Sequence, residues 1–356
     1  MVGKTERTLQ RNIIDPIQEM IGYERFRQNK ASGVVIYAGR TIYIAGANDE
    51  RSENKIRGLT LSGAYGDEVT LWPESFFKML LSRLRVKGAR FYGTTNPDSP
   101  FHWLKTEFLN RENELNIKTF QFLLRDNTTL DPEYIRSLEL EYQGLWYRRF
   151  ILGEWCQAEG AIYDMFDENI HVRGVEAYNN QRVRRKSVGV DYGTSNPTAA
   201  ILIDEYEDGH LHAAAEYYYD GRANQKQKTD AEYIADMSLF YTQNRLAKDV
   251  PLIIDPSAAS LKTEARKHGF HVRDAENSVL DGIRTVSSRL TLGTLLIDPR
   301  CKRLIKEMPS YVWDPHAQQR GEDCPLKVND HACDALRYGV MSFVRGQSGG
   351  GSVRTY

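Results

Sequence analysis

Three aspartates and a histidine stand where they could do chemistry. Asp191 ends the apolar run "SVGVD", Asp255 ends "PLIID", and His331 and Asp334 open the stretch "DHACDALRYGVM" after Asp330 is counted in. His331 and Asp334 are three residues apart, so on a helix they share a face. Carboxylates at the ends of apolar strands can meet in the crevice at one sheet edge. Crowded carboxylates repel one another unless cations relieve them. Hard ions such as Mg²⁺ or Mn²⁺ take oxygen ligands, and two of them, roughly 3.5–4 Å apart, support water attack and stabilise the leaving oxygen in phosphodiester cleavage. Asp191, Asp255 and Asp334 are therefore candidate ligands of two metal ions, with His331 as an assisting acid or base.

Plainer readings compete at each position. Asp330 suits a helix N-cap, and acidic residues in a first turn suit the helix dipole. That account covers Asp330 well, and His331 and Asp334 poorly. On this segment alone a structural role and a metal or catalytic role stand level. Asp255 before Pro256 also reads as the start of a turn, and Asp298 in "LLIDP" repeats the pattern, where it is read as structural.

Such residues need elements that end together. "KSVGVDYG", "PTAAILIDEY" and "HLHAAAEYYYD" read as three consecutive strands, "DAEYIADMSLFYTQNRL" as a helix, and "VPLIIDPS" as a buried strand. Three antiparallel strands, a helix and then a parallel strand is the order of a ribonuclease H-like sheet. A helix crossing its edge would add His331 and Asp334. Upstream, "GVVIYA" and "TIYIAGA" read as strands joined at Gly39–Arg40, "ARFYGTT" as a strand, "FHWLKTEFLNR" as a helix and "IKTFQFLL" as a strand. Asp131 and Pro132 open a helix that Gly144 interrupts. The organisation expected is an α/β domain over 1–155, a linker over 156–183, a second α/β domain over 184–345 and a Gly/Ser-rich disordered tail over 346–356. A fragment of residues 160–345 is expected to fold alone.

Composition bounds the class. The chain has 356 residues, long enough for two cores, with 41% hydrophobic and 27% charged residues and a net charge of –1. No apolar run reaches membrane-spanning length. Cys156, Cys301, Cys324 and Cys333 show no paired spacing, which argues against a disulfide framework and makes a reducing compartment the default. His331 and Cys333 alone are a weak case for zinc. The basic runs "RLRVKGAR" and "RVRRK" suit phosphate contacts, although solvated faces explain them better when taken alone.

Longer stretches carry a family resemblance. "GVDYGTSNPTAAILI" and "DHACDALRYG", with "FILGEWCQAEGAIYDMFD" ahead of them, resemble the large terminase subunit of tailed bacteriophages. "NDERSENKIRGLTLSGAYGDEVTLWPESFFKMLLSRL" is similar to that family's Walker B region, and "FYGTTNPDSPFHWLK" to its coupling motif. The resemblance implies an incomplete P-loop-type ATPase domain, the C-terminal part of one over 1–155, followed by a ribonuclease H-like nuclease domain. The ATPase would drive double-stranded DNA into a procapsid, and the nuclease would cut concatemers. It implies Asp191, Asp255 and Asp334 as metal ligands and His331 as assistant. Asp67 would hold Mg²⁺ through ATP, Glu68 would orient water, and Thr95 and Asn96 would couple hydrolysis to movement. The implied partners are double-stranded DNA, the small terminase subunit and the portal protein, with no membrane. The chain would be a monomer in solution and an oligomer on the portal, in the host bacterial cytoplasm.

The phosphate loop departs from its pattern, G-x-x-x-x-G-K-[ST]. Only Gly3, Lys4 and Thr5 match its end. A late start codon, an interrupted gene or a prophage remnant would each give this. The expectation is a frayed Lys4, weak ATP binding and negligible turnover. Actin-like and Hsp70-like ATPases are a rival, since "GVDYGTSNPTAA" also resembles their first phosphate loop; a second Gly-rich loop is missing, the Gly run being in the tail at 349–351. A ribonuclease H-like resolvase is another, and the long first domain with "GDE" and "TTNP" argues against it. A DNA-binding scaffold without activity leaves the acidic set unexplained.

Overall fold

The computed structural model describes residues 1–29, 33–178, 181–193 and 196–344. The expected tail at 346–356 lies outside the described residues. The chain divides into two units, Met1–Leu123 with Leu152–Cys156, and Leu124–Ile151 with the residues from Gln157 onward. The boundary expected at 155 thus lies beside a crossover of the chain, but residues 124–151 pack with the second unit. Their apolar face explains this: Trp146 is buried in the second unit's core, with Tyr142, Leu145 and Phe150 packed against it. Arg149 and Asp323 add a buried ion pair.

The first unit holds a parallel sheet in the order β5-β1-β6-β7. These strands are β1 (Val2–Gly3), β5 (Ala45–Gly46), β6 (Gly63–Gly66) and β7 (Arg90–Gly93). The run "SGAYG" is weakly apolar for a strand within a sheet, and the packing gives the reason. A Cβ on Gly66 would come 2.5 Å from the Trp72 ring, and one on Gly93 would come 2.7 Å from the Phe91 ring. Aromatic side chains fill the space that strand residues leave bare. A meander of β2 (Phe26–Asn29), β3 (Val34–Tyr37) and β4 (Arg40–Tyr43) covers a small core of Leu9, Ile14, Phe26 and Val35. Its second turn is Ala38–Gly39, both with positive φ, as tight hairpins require. The strand expected over "IKTFQFLL" does not form. Among the described residues no sheet edge pairs with it, and Phe120 and Phe122 stay exposed.

The second unit is built on a six-stranded sheet in the order β12-β11-β8-β9-β10-β13. β8 (Val183–Asp191), β9 (Thr198–Tyr206) and β10 (Leu211–Tyr219) are antiparallel neighbours. β11 (Leu252–Ile254) runs parallel to β8, β12 (Val272–Asp274) parallel to β11, and β13 (Leu295–Ile297) parallel to β10. This is the ribonuclease H-like order expected. β9 is buried throughout because both faces are covered. Val188, Ala200 and Leu202 pack under the helices Asp230–Gln243 and Ala259–Lys267, while Ala199, Ile201 and Ile203 pack under Val279–Thr291 and His331–Val344.

Candidate functional site

The two strand-end carboxylates are set by register. Ile254 pairs with Val190, so Asp191 and Asp255 are the next residues of two adjacent parallel strands. The 331–344 helix reaches both. His331 Nδ1 lies 2.8 Å from Asp191 Oδ2, and the Tyr338 hydroxyl donates to Asp255 Oδ2 at 2.9 Å. The two contacting residues are seven apart, about two turns of one helix. Asp255 also accepts from the backbone N–H of Ser257 at 2.7 Å and from its hydroxyl at 2.5 Å.

Close approach of helix and sheet makes this reach possible. A Cβ on Gly189 would run into the Ala335 carbonyl oxygen and come 2.6 Å from the Gly339 nitrogen; one on Gly339 would come 2.5 Å from the Ile203 side chain. Two glycines facing each other let the helix backbone lie on the strand backbone. The helix N-terminus is satisfied from elsewhere. Glu307 accepts from the N–H groups of Ala332 at 2.6 Å and Cys333 at 3.3 Å, so a buried glutamate serves the donors for which Asp330 was the expected cap. Asp330 instead pairs with Lys327 at 3.1 Å. Cys333 is buried against Met308 in the core, which removes it from any zinc pair with His331, and the other three cysteines are free thiols as well.

Asp334 is held on two sides. Its Oδ1 accepts from the Tyr311 hydroxyl at 3.2 Å and from Arg337 Nε and Nη2 at 3.3 and 3.1 Å; its Oδ2 meets Lys327 Nζ at 2.8 Å. Burial alone would raise the Asp334 pKa, but the charges of Arg337 and Lys327 outweigh it and hold the carboxyl below its usual range. Asp191 goes the other way. Burial raises it, the nearby Asp334 charge adds to the rise, and the bond from His331 only partly offsets them. Burial lowers the His331 pKa, but Asp191 more than compensates and the imidazole is held above its ordinary value. Among the described residues, no three carboxylate, imidazole or thiol groups converge into a ready ligand cage. Each carboxylate has a protein partner instead. Asp298 is structural, as expected: it closes a turn on the N–H and guanidinium of Arg300, each at 2.9 Å. The basic run "RVRRK" is partly neutralised, with Arg185 on Glu205 and Lys186 on Asp204, both at 2.6 Å.

Sequence reasoning missed Lys327, Tyr311, Glu307, Arg337 and Tyr338. Arg337 and Tyr338 sit inside a quoted motif, where an Arg three residues after Asp334 is an i,i+3 signal. The other three carry no local signal.

In the first unit, Lys4, Thr5, Asp67, Glu68, Thr95 and Asn96 follow the carboxyl ends of β1, β6 and β7, the edge where parallel α/β sheets bind ligands. The expected fraying of Lys4 is not found. Val2 and Gly3 pair with β5, and Val2 also pairs with β6. Thr5 caps a short helix by accepting from Thr8 N–H at 2.9 Å, and Lys4 Nζ donates to the Leu71 and Asn48 carbonyls at 2.7 and 3.3 Å. Asp67 accepts from the Thr94 hydroxyl at 3.1 Å, Thr95 and Thr70 share a hydroxyl bond of 2.8 Å, and Glu68 is held at φ 52°.

Comparison with known proteins gives the family. A family model for the N-terminal part of the T4-type terminase large subunit matches residues 3–170. The large terminase subunit of Escherichia phage T5 is 26% identical over 234 residues, covering 63% of this chain and 51% of that protein, so the match spans about half the length of that relative. The large terminase of the thermophilic bacteriophage D6E, solved in complex with ADP, is 39% identical with a TM-score of 0.88, over 97% of this chain and 86% of that one. A second crystal form of the D6E protein gives 39% identity and a TM-score of 0.89, over 97% and 85%. The actin-like and resolvase alternatives are set aside, and the chain belongs to the bacteriophage large terminase family.

Proposed function

We propose that the second unit is a divalent-metal-dependent endonuclease that cuts concatemeric double-stranded DNA during phage genome packaging. The observation that supports this best is the adjacency of Asp191 and Asp255 on parallel strands, with one helix bringing His331 to the first and Tyr338 to the second. Asp191, Asp255 and Asp334 offer only oxygen donors, the set that suits Mg²⁺ or Mn²⁺. The raised Asp191 pKa marks a carboxylate short of compensating charge, which fits a cation neighbour. A pair of such ions, when bound, would neutralise the phosphate and lower the pKa of an attacking water.

The chain's own residues do the rest. Ser257 and Tyr338 fix the Asp255 carboxylate, and Tyr311 with Arg337 fixes that of Asp334. His331 keeps its Nδ1 proton toward Asp191, which leaves Nε2 to exchange a proton with water or the leaving oxygen. In the first unit, Lys4, Thr5, Asp67 and Glu68 form the nucleotide site of a packaging motor, a reading supported by their common sheet edge and by the ADP complex of the D6E relative. The partners on this reading are double-stranded DNA, the small terminase subunit and the portal, with the chain monomeric in solution, oligomeric on the portal and at work in the host cytoplasm.

Plasmid incubated with the purified chain and Mn²⁺ or Mg²⁺ should be cut, and EDTA should stop it. Asp191→Ala and Asp255→Ala should each abolish cutting with an unchanged circular dichroism spectrum. Normal cutting by both variants would overturn the assignment.

A further inference from the structure

The two oxygens of Asp334 are held very differently. Oδ1 is engaged by Tyr311 and Arg337, which are 0% and 1% exposed. Those partners belong to the core and cannot withdraw without repacking it. Oδ2 is engaged by Lys327, whose side chain is 63% exposed. An incoming ligand can therefore reach Asp334 only at Oδ2, where an ammonium already sits. The same ammonium lies 3.1 Å from Asp330 Oδ2, so it has a second carboxylate close at hand. Lysine suits this part because its ammonium is a compact point charge on a flexible stem.

We infer that Lys327 is an internal competitor for the cation at Asp334, and that metal loading moves its ammonium off Oδ2 and onto Asp330. The inference rests on the metal-dependent reading of the site. No bond is made or broken; one cation replaces another at a single oxygen. The exchange fits a site in which Asp191, Asp255 and Asp334 each have a partner within the protein while their donor chemistry suits a hard ion.

The test is calorimetric titration of the full chain with Mn²⁺ alone, comparing the parent with Lys327→Met, Lys327→Gln and Asp191→Asn. Two lysine variants are used so that a folding failure in one leaves the other, and circular dichroism checks both. Loss of Mn²⁺ binding in Asp191→Asn tests the metal site itself. On the inference, both lysine variants bind Mn²⁺ more tightly than the parent, by about threefold to tenfold, the range expected for removing a partly exposed ion pair from the competition. Equal or weaker binding in folded lysine variants, with Asp191-dependent binding intact in the parent, overturns the inference and leaves the nuclease reading standing. Absence of Mn²⁺ binding in all four proteins overturns both.

Discussion

At the residue scale the site is a set of charges matched in pairs, and the pairs make its predictions specific. His331 is within hydrogen-bond reach of Asp191. His331→Ala should lower cutting by about 10²–10⁴-fold, the usual value of acid–base help, while leaving Mn²⁺ binding largely in place; full activity would return the histidine to a structural role. Asp334 predicts a dependence on pH. Its folded-state pKa is depressed because Arg337 and Lys327 outweigh burial. Its stabilising contribution is therefore fully present above the unfolded carboxylate value of about 3.9 and is lost as pH falls through the lower folded value. Asp334→Asn should cost about 3 kcal/mol at pH 7, since it breaks a buried pair. Urea midpoints should show the gap to the parent narrowing below about pH 4, and a gap constant with pH would contradict this account. In the first unit, Lys4→Ala should weaken ADP binding by about tenfold or more if its ammonium meets phosphate; unchanged affinity by calorimetry would remove Lys4 from that site.

At the element scale the decisive contact is between β8 and the 331–344 helix. Gly189→Ala would force the Ala335 carbonyl away from the strand and shift His331 and Tyr338 together. Overpacking of this kind costs about 1–3 kcal/mol or more. Gly189→Ala should therefore lower Tm by several degrees and suppress cutting, whereas normal stability and activity would show that the helix has slack. The second consequence concerns fragments. Because Trp146 and Arg149 are buried in the second unit, residues 160–345 alone would leave a gap in the core and Asp323 without its guanidinium. A fragment starting at residue 124 should stay soluble with a cooperative melt, and the one starting at 160 should not. Strand ends and helix faces of the second unit were legible because alternation and apolar runs report directly on burial; the positions of Asp191, Asp255 and Asp334 follow from that. The place of residues 124–151 was not, since their helical pattern says only that one face is buried and not against which unit. Glu307 and Lys327 were invisible for a similar reason: each acts on a residue distant along the chain or across a turn, and no periodicity marks them. The segment "IKTFQFLL" misled because alternation without a sheet edge to join has nothing to stabilise it.

At the scale of the whole molecule, each of the two units has its candidate site residues at the end of a sheet whose core is apolar. The second unit's sheet is covered on both faces by buried aliphatic and aromatic side chains, so its fold is expected to hold without a ligand. EDTA should stop cutting while far-ultraviolet circular dichroism and the melting transition stay nearly unchanged; collapse of the fold on chelation would mean that a metal is structural. No helix among the described residues is long and apolar enough to cross a membrane. The net charge of –1 gives no general attraction to DNA; on the proposed function, Asp191, Asp255 and Asp334 gather cations against the phosphate. Anomalous diffraction from a crystal of this chain soaked in Mn²⁺ tests that claim most directly. The account predicts density for the ion bonded to Asp191 and at least one of Asp255 and Asp334, at the edge where β8 and β11 end. Manganese bound only elsewhere, with these three carboxylates still on their protein partners, would contradict it.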